Sequence, residues 1–133
     1  MVNAYPKIDR NNSGVIIDGV LRPPGTYQVS PGTQVTIKAR VHNTLSTGQI
    51  RVGFVINNTP HFVTDTLSAG QTKDYTYPLT INDYTEIYIE TYYLTEEYYP
   101  VGYPIESPTT PYVRKWVKVD EYGCGDKDGE RAR

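Results

Sequence analysis

From Gln34 to His42 the chain reads Gln-Val-Thr-Ile-Lys-Ala-Arg-Val-His, an unbroken alternation of polar and apolar residues, and this stretch most narrows the folds open to it. Successive side chains of a strand point to opposite faces, so Val35, Ile37, Ala39 and Val41 share one face while Thr36, Lys38 and Arg40 share the other. A strand that is apolar on one side and charged on the other suits an antiparallel sheet with one wet face. The composition agrees, since 13 Tyr, 10 Pro and 11 Gly favour strands interrupted by turns. No stretch carries helical apolar spacing, and no internal repeat is visible.

The same period continues on both sides. Residues 49–56 place Ile50, Val52, Phe54 and Ile56 inward, and Asn57-Asn58-Thr59-Pro60 turns the chain into a shorter strand at 61–67, near a sheet edge. After a turn at Leu67-Ser68-Ala69-Gly70-Gln71, residues 72–81 set Tyr75, Tyr77, Leu79 and Ile81 on one face. Pro78 interrupts this run and has no N–H to donate, which places it at an edge or a bulge. Asn82-Asp83-Tyr84 turns again, and residues 86–94 put Ile87, Ile89 and Thr91 inward with Tyr88, Glu90 and Tyr92 outward. The last strand, 112–119, has an ambiguous register: Val113, Val117 and Val119 share a face with Lys115, and Trp116 lies on the other. Residues 14–21 form a first strand, ended by Arg22-Pro23-Pro24-Gly25 ahead of a short segment at 26–30. About seven short strands at this spacing predict an all-β, immunoglobulin-like antiparallel β-sandwich with Greek-key connections.

A length of 133 residues fits one domain large enough to bury its own core without metals or disulfides. The expected organisation is a flexible N-terminal arm at 1–12, the sandwich at 13–120 and a flexible charged tail at 121–133. The formal charge of -2 and the lack of a basic run argue against nucleic-acid partners. The absence of any long apolar run argues against membrane insertion. No export-signal layout stands at the N-terminus. The single cysteine, Cys124, supports no internal disulfide and reads as an unpaired thiol in the tail.

Chemistry-bearing residues are sparse. His42 and His61 stand on strands without Cys, Asp or Glu at ligand spacing, so neither reads as a metal ligand. No nucleophile–base motif occurs. Asp126-Lys127-Asp128-Gly129-Glu130 has its glycine at the wrong position for a calcium loop. Glu86, Glu90, Glu96 and Glu97 lie close in sequence, but alternation turns Glu86 and Glu90 to a solvated face instead of a cleft. The sequons at Asn11 and Asn57 matter only in a glycosylating host. The expectation is therefore no catalytic residue, no metal and no cofactor.

Tyrosine is the exception. Tyr84, Tyr88, Tyr92, Tyr93, Tyr98, Tyr99, Tyr103 and Tyr112 crowd one third of the chain, more than a core of this size can hold. Tyrosine supplies large, stiff contact area at low entropic cost, as in interface hot spots and binding loops. The Tyr/Pro-rich stretch 96–111 is longer than ordinary connections. Tyr88, Tyr92, Tyr93, Tyr98, Tyr99 and Tyr103 are the expected interaction residues.

Val41-His42-Asn43 followed by Gly48, the stretch Phe54-Val55-Ile56-Asn57, and Leu67-Ser68-Ala69-Gly70-Gln71-Thr72 before an aromatic-alternating strand together resemble the CARDB-type immunoglobulin-like domains over about residues 31–94. The resemblance implies a surface-displayed adhesion and spacing module with no catalytic residues of its own. Sandwiches of this kind also decorate virus particles, a setting that needs no signal peptide. The expectation is a non-enzymatic structural protein at a virion or other extracellular surface. It would decorate or assemble into a larger particle through the Tyr/Pro loop and an exposed sheet face, with other proteins or its own copies as partners. The alternative is a carbohydrate- or surface-binding adhesion module with glycans as partners.

Overall fold

The computed structural model describes residues 3–97 and 113–123. These form nine strands: β1 (Pro6–Ile8), β2 (Gly14–Ile17), β3 (Val20–Arg22), β4 (Thr33–Asn43), β5 (Gly48–Ile56), β6 (Thr59–Leu67), β7 (Thr72–Ile81), β8 (Ile87–Glu97) and β9 (Val113–Gly123). One 3₁₀ turn spans Arg10–Asn12. All strand pairs are antiparallel and they build two sheets. In the first sheet β4 pairs along its whole length with β7, while β1 and β2 share its other edge and β3 lies outside β2. The second runs β6-β5-β8-β9. The chain is an all-β sandwich, as the alternation in β4 requires.

Inward residues of both sheets merge into one core: Val35, Ile37, Ala39 and Val41 from β4 meet Ile50, Val52 and Phe54 from β5 and Ile87 and Ile89 from β8. Phe54 stacks on Tyr77 of β7 across the gap between the sheets, with ring centroids 5.6 Å apart. Pro78 lies on β7, which pairs only with β4, so its missing N–H faces away from the ladder. The β5–β6 turn carries positive φ at Asn57 and Asn58 (49° and 69°), the left-handed geometry of a tight hairpin.

The stretch expected as one first strand is a hairpin instead. Asp18 and Gly19 both take positive φ and fold Gly14–Ile17 back against Val20–Arg22. A Cβ on Gly14 would sit 2.2 Å from the Arg22 carbonyl oxygen, so only glycine permits this approach. Residues 26–30 form no strand.

Residues expected in a flexible arm are built into the sandwich. β1 pairs with the end of β4, Ala4 and Ile8 join the core, and Asp9 caps the 3₁₀ turn by accepting from the Asn11 N–H. The buried Asp120 carboxylate of β9 holds this segment: it accepts from the Ile8 N–H at 2.9 Å and from Arg10 Nη2 at 2.7 Å. Three residues carry too little apolar surface to announce a strand, so a partner more than a hundred residues away does the anchoring. Likewise residues 121–123, assigned to the tail, complete β9.

Asn43 closes the same end. It is fully buried, yet its side chain makes five hydrogen bonds. Oδ1 accepts from the N–H groups of Tyr5 and Leu45, and Nδ2 donates to the carbonyls of Ser46, Leu67 and Ser68. One amide thus ties together the β4–β5 turn, the β6–β7 turn and the N-terminal segment. This satisfies the rule that buried polar groups be paired.

The open sides of the sandwich are also stitched. Between β6 and β7, Asp65 accepts from the Tyr75 hydroxyl at 2.7 Å and from Lys73 Nζ at 2.8 Å, and His61 stacks on Tyr77. Asp120 does the corresponding work between β1 and β9.

Candidate binding face

Alternation gives each sheet an outward face. On the second sheet that face carries Arg51, Gly53 and Val55 of β5, Phe62 of β6, Tyr88, Glu90, Tyr92 and Leu94 of β8, and Trp116 and Lys118 of β9. Register brings four of these together. Arg51 pairs directly with Tyr92; Phe62 is its diagonal neighbour through the Arg51–Thr64 pair, and Trp116 is one step beyond through the Leu94–Trp116 pair. The Arg51 guanidinium carbon lies 3.8 Å from the Phe62 ring centroid, 4.5 Å from Tyr92 and 4.9 Å from Trp116. Phe62 and Tyr92 meet edge to face at 5.8 Å.

Gly53 makes room for this cluster, because an added Cβ would meet the Phe62 ring at 3.0 Å. The trimmed side chain lets the ring lie down over the β5 backbone, where it shields apolar surface while remaining 44% exposed. A β-bulge in β9 opposite the Thr91–Tyr92 step resolves the ambiguous register of that strand. Val119 is the extra residue, so Trp116 and Lys118 face outward while Asp120 and Tyr122 turn inward.

Glu90 is a correction to the expected solvated face. It points outward yet is only 6% exposed, roofed by neighbours that bind it: Lys118 Nζ is 2.9 Å from Oε2, and the Tyr92 hydroxyl donates to Oε1. Desolvation and the bond to Glu90 push the Tyr92 phenol up to about 12. Desolvation pulls the Lys118 ammonium down, but its hydrogen bond and attraction to Glu90 prevail and hold it above the usual lysine range. Both groups are thereby locked in their protonated forms.

Arg51 differs from these partners. Among the described residues its guanidinium has no carboxylate, and its Nε is buried without a hydrogen-bond partner. A cation held between aromatic rings, with no carboxylate among the described residues, is the arrangement that would take a carboxylate from elsewhere.

The outward face of the first sheet has no such cluster. Thr36, Lys38, Arg40 and His42 of β4 oppose Pro78, Thr76, Asp74 and Thr72 of β7. Arg40 grips Asp74 with two hydrogen bonds, 2.7 and 3.1 Å, and His42 Nδ1 lies 2.7 Å from the Thr72 hydroxyl. Charge is answered locally and the surface is threonine-rich.

Of the expected interaction residues, Tyr88 and Tyr92 lie on the clustered face, half-buried. Tyr93 points the other way, inward, with its ring centroid 6.0 Å from that of Tyr5. Tyr98, Tyr99 and Tyr103 lie outside the described residues, as do Cys124 and the Asp126–Glu130 stretch. Glu96 and Glu97, expected in the loop, belong to β8. The β8–β9 ladder continues past the last β5 pair, Ile50–Tyr93, as far as Glu97–Val113. The hairpin therefore overhangs the sheet and carries Leu94, Trp116 and the Glu96–Arg114 ion pair at 3.2 Å beyond it. Arg51, Phe62 and Trp116 were not singled out from sequence.

Among the described residues no group of His, Cys, Asp or Glu is arranged to hold a metal ion, and no helix is long and apolar enough to cross a membrane. No protein-family model matches the chain, and no curated protein or solved structure matches it either.

Proposed function

We propose that this chain is a non-enzymatic interaction module that docks onto a protein surface through the outward face of its four-stranded sheet. The carrying observation is the Arg51 guanidinium framed by Phe62, Tyr92 and Trp116 with no carboxylate among the described residues. Arginine, tyrosine and tryptophan are the residue types that dominate interface hot spots, and an unpaired cation among rings gives a partner both an apolar footing and a defined charge to meet. The occupant is a protein patch offering an Asp or Glu beside apolar side chains, in the first instance a second copy of the chain within a larger assembly. The CARDB-like turn pattern suggests a surface-displayed module, and decoration of a particle such as a virion is the setting that sandwiches of this kind also serve.

Sedimentation velocity over a wide concentration range tests the reading. The expected result is reversible association that Arg51→Ala and Phe62→Ser each weaken at least tenfold, while Arg40→Ala on the other sheet leaves it intact. A monomer at every concentration would overturn self-assembly, and association indifferent to Arg51 and Phe62 would overturn the face.

A further inference from the structure

At the end of the sandwich away from the overhanging hairpin, the two sheets part around a pocket of about 470 Å³. Its floor is core: Val15, Ile17, Val35 and Ile87 are all buried. Its walls are the strandless segment from Gly25 to Pro31 and the turn from Ile81 to Ile87. Protein interiors are close-packed, and voids larger than a water are few. An opening of this volume falls in the range of small-molecule sites. After β3 the chain is exposed over 23–27, where the Tyr27 hydroxyl donates to the Pro23 carbonyl at 2.6 Å. The segment stands beside the opening instead of plugging it.

The polar groups at the mouth are unbalanced. Asp83 and Glu86 are exposed and acidic, and among the described residues no Lys, Arg or His lines the pocket, although the Arg22 guanidinium lies 5.7 Å from the centroid of the Tyr27 ring in its wall. The phenol donors are used: Tyr27 on Pro23, and Tyr84 on Glu86 at 3.3 Å. The Asp83 carboxylate has no partner among the described residues, although its backbone carbonyl accepts from the Thr85 hydroxyl at 2.8 Å. Tyr84 stands 78% exposed with its hydroxyl on the Glu86 carboxylate. An occupant must therefore bring an apolar body for the floor and positive charge for the rim.

We infer that this pocket binds a small organic amine: an ammonium group between Asp83 and Glu86, against the Tyr84 ring, with an apolar or aromatic body over Val15, Ile17 and Ile87. Ammonium groups are held by carboxylates and by aromatic faces alike. An anion of the same shape meets two carboxylates and is refused. The site is independent of the outward sheet face, so it stands or falls separately from the docking reading.

Amide chemical shifts of the full chain, titrated with phenethylammonium and with benzyltrimethylammonium, provide the test. Saturable shifts confined to residues 15–17, 25–31 and 81–87 are expected, with phenylacetate producing none. Asp83→Asn with Glu86→Gln should weaken binding at least tenfold, and Tyr84→Leu severalfold, with the remaining amide spectrum unchanged to show that the fold survives. Equal binding of phenylacetate, saturation by methyl glucoside in place of the amines, or no shift at millimolar amine would each overturn the assignment.

Discussion

The two outward faces are made by the same device, alternate residues of antiparallel strands, yet they solve different problems. On the β4–β7 face Arg40 and Lys38 are both answered by Asp74 across the strand pair, and the remaining positions are threonines with His42 and Pro78. Such a face is complete in water. On the β5–β8 face Glu90 is roofed over, Phe62 lies on a glycine, and Arg51 is surrounded by rings with no carboxylate among the described residues. Hydropathy along either strand looks alike; what separates the faces is whether their polar groups are satisfied inside the fold.

The comparison can be broken most severely through the frame that supports both faces. Asn43→Ala strands two buried N–H donors and removes the donor from three carbonyls, and each uncompensated group costs about 1–3 kcal/mol. A loss of about 3 kcal/mol in urea-unfolding free energy is expected, with both faces disordered together. Retention of stability would show that water replaces the amide.

Next in size is the contrast between the two carboxylates. Glu90→Ala leaves the half-buried Tyr92 hydroxyl without its acceptor and Lys118 with Glu121 alone, an expected loss of about 2 kcal/mol. Asp74→Ala, on an exposed pair, should move the urea midpoint less than half as far and not at all in molar salt. Equal effects would erase the distinction between the faces.

The faces should also part company with pH. The hydrogen bond and charge of Arg40 hold Asp74 below its ordinary 3.8, so its contribution is present above that value and is lost as pH falls through the lower, folded value. Tyr92 is raised from 10.0 to about 12, so its contribution is present below 10.0 and is lost as pH rises toward 12. The stitch between β6 and β7 adds to both limbs, because Asp65 is lowered, chiefly by Lys73, and Tyr75 is raised, chiefly by burial. The face-specific part is thus a difference: Asp74→Asn should flatten only the acid limb of a stability–pH profile, and Tyr92→Phe only the alkaline one.

The smallest expected effect is on Arg51 itself. Arg51→Met keeps the stem that packs on the rings and removes a charge with no carboxylate among the described residues, so stability should change by under about 1 kcal/mol while association is lost. A large destabilisation would mean that the cluster serves the fold and not a partner.

Much of this architecture was legible in the sequence. The error-free alternation of 34–42, the Asn57-Asn58 turn and the place of Pro78 are local patterns, and local patterns survive into the structure. Three features were not legible, for a shared reason. The Asp18-Gly19 hairpin hid in an apolar run that reads equally well as one strand, although Asp-Gly is itself a turn signal. β1 depends on Asp120, far along the chain. The Arg51 cluster draws on β5, β6, β8 and β9, and its assembly requires both the strand order and the bulge at Val119. Period two tells which side chains point outward and is silent about which neighbours they meet there, so Glu90 was expected in water and Tyr93 among the contact residues. What could have flagged the face was Gly53 between Val52 and Phe54, a strand glycine under a cross-strand aromatic.

The link from Asp120 to Ile8 and Arg10 also has a mechanical side. β1 pairs with β4 over three residues and is also tied in by Asp120, by the Thr91 hydroxyl on the Pro6 carbonyl and, just before it, by Asn43 on the Tyr5 N–H, whereas β4 and β7 share ten pairs. Tension applied through residue 3 would therefore load β1 and the 3₁₀ turn first, and their release would free roughly ten residues of slack at about 3.5 Å each while the ten-pair β4–β7 ladder stays closed. A module displayed under load would have an extensible tether at its first strand, with Arg10–Asp120 as the latch that sets when it yields.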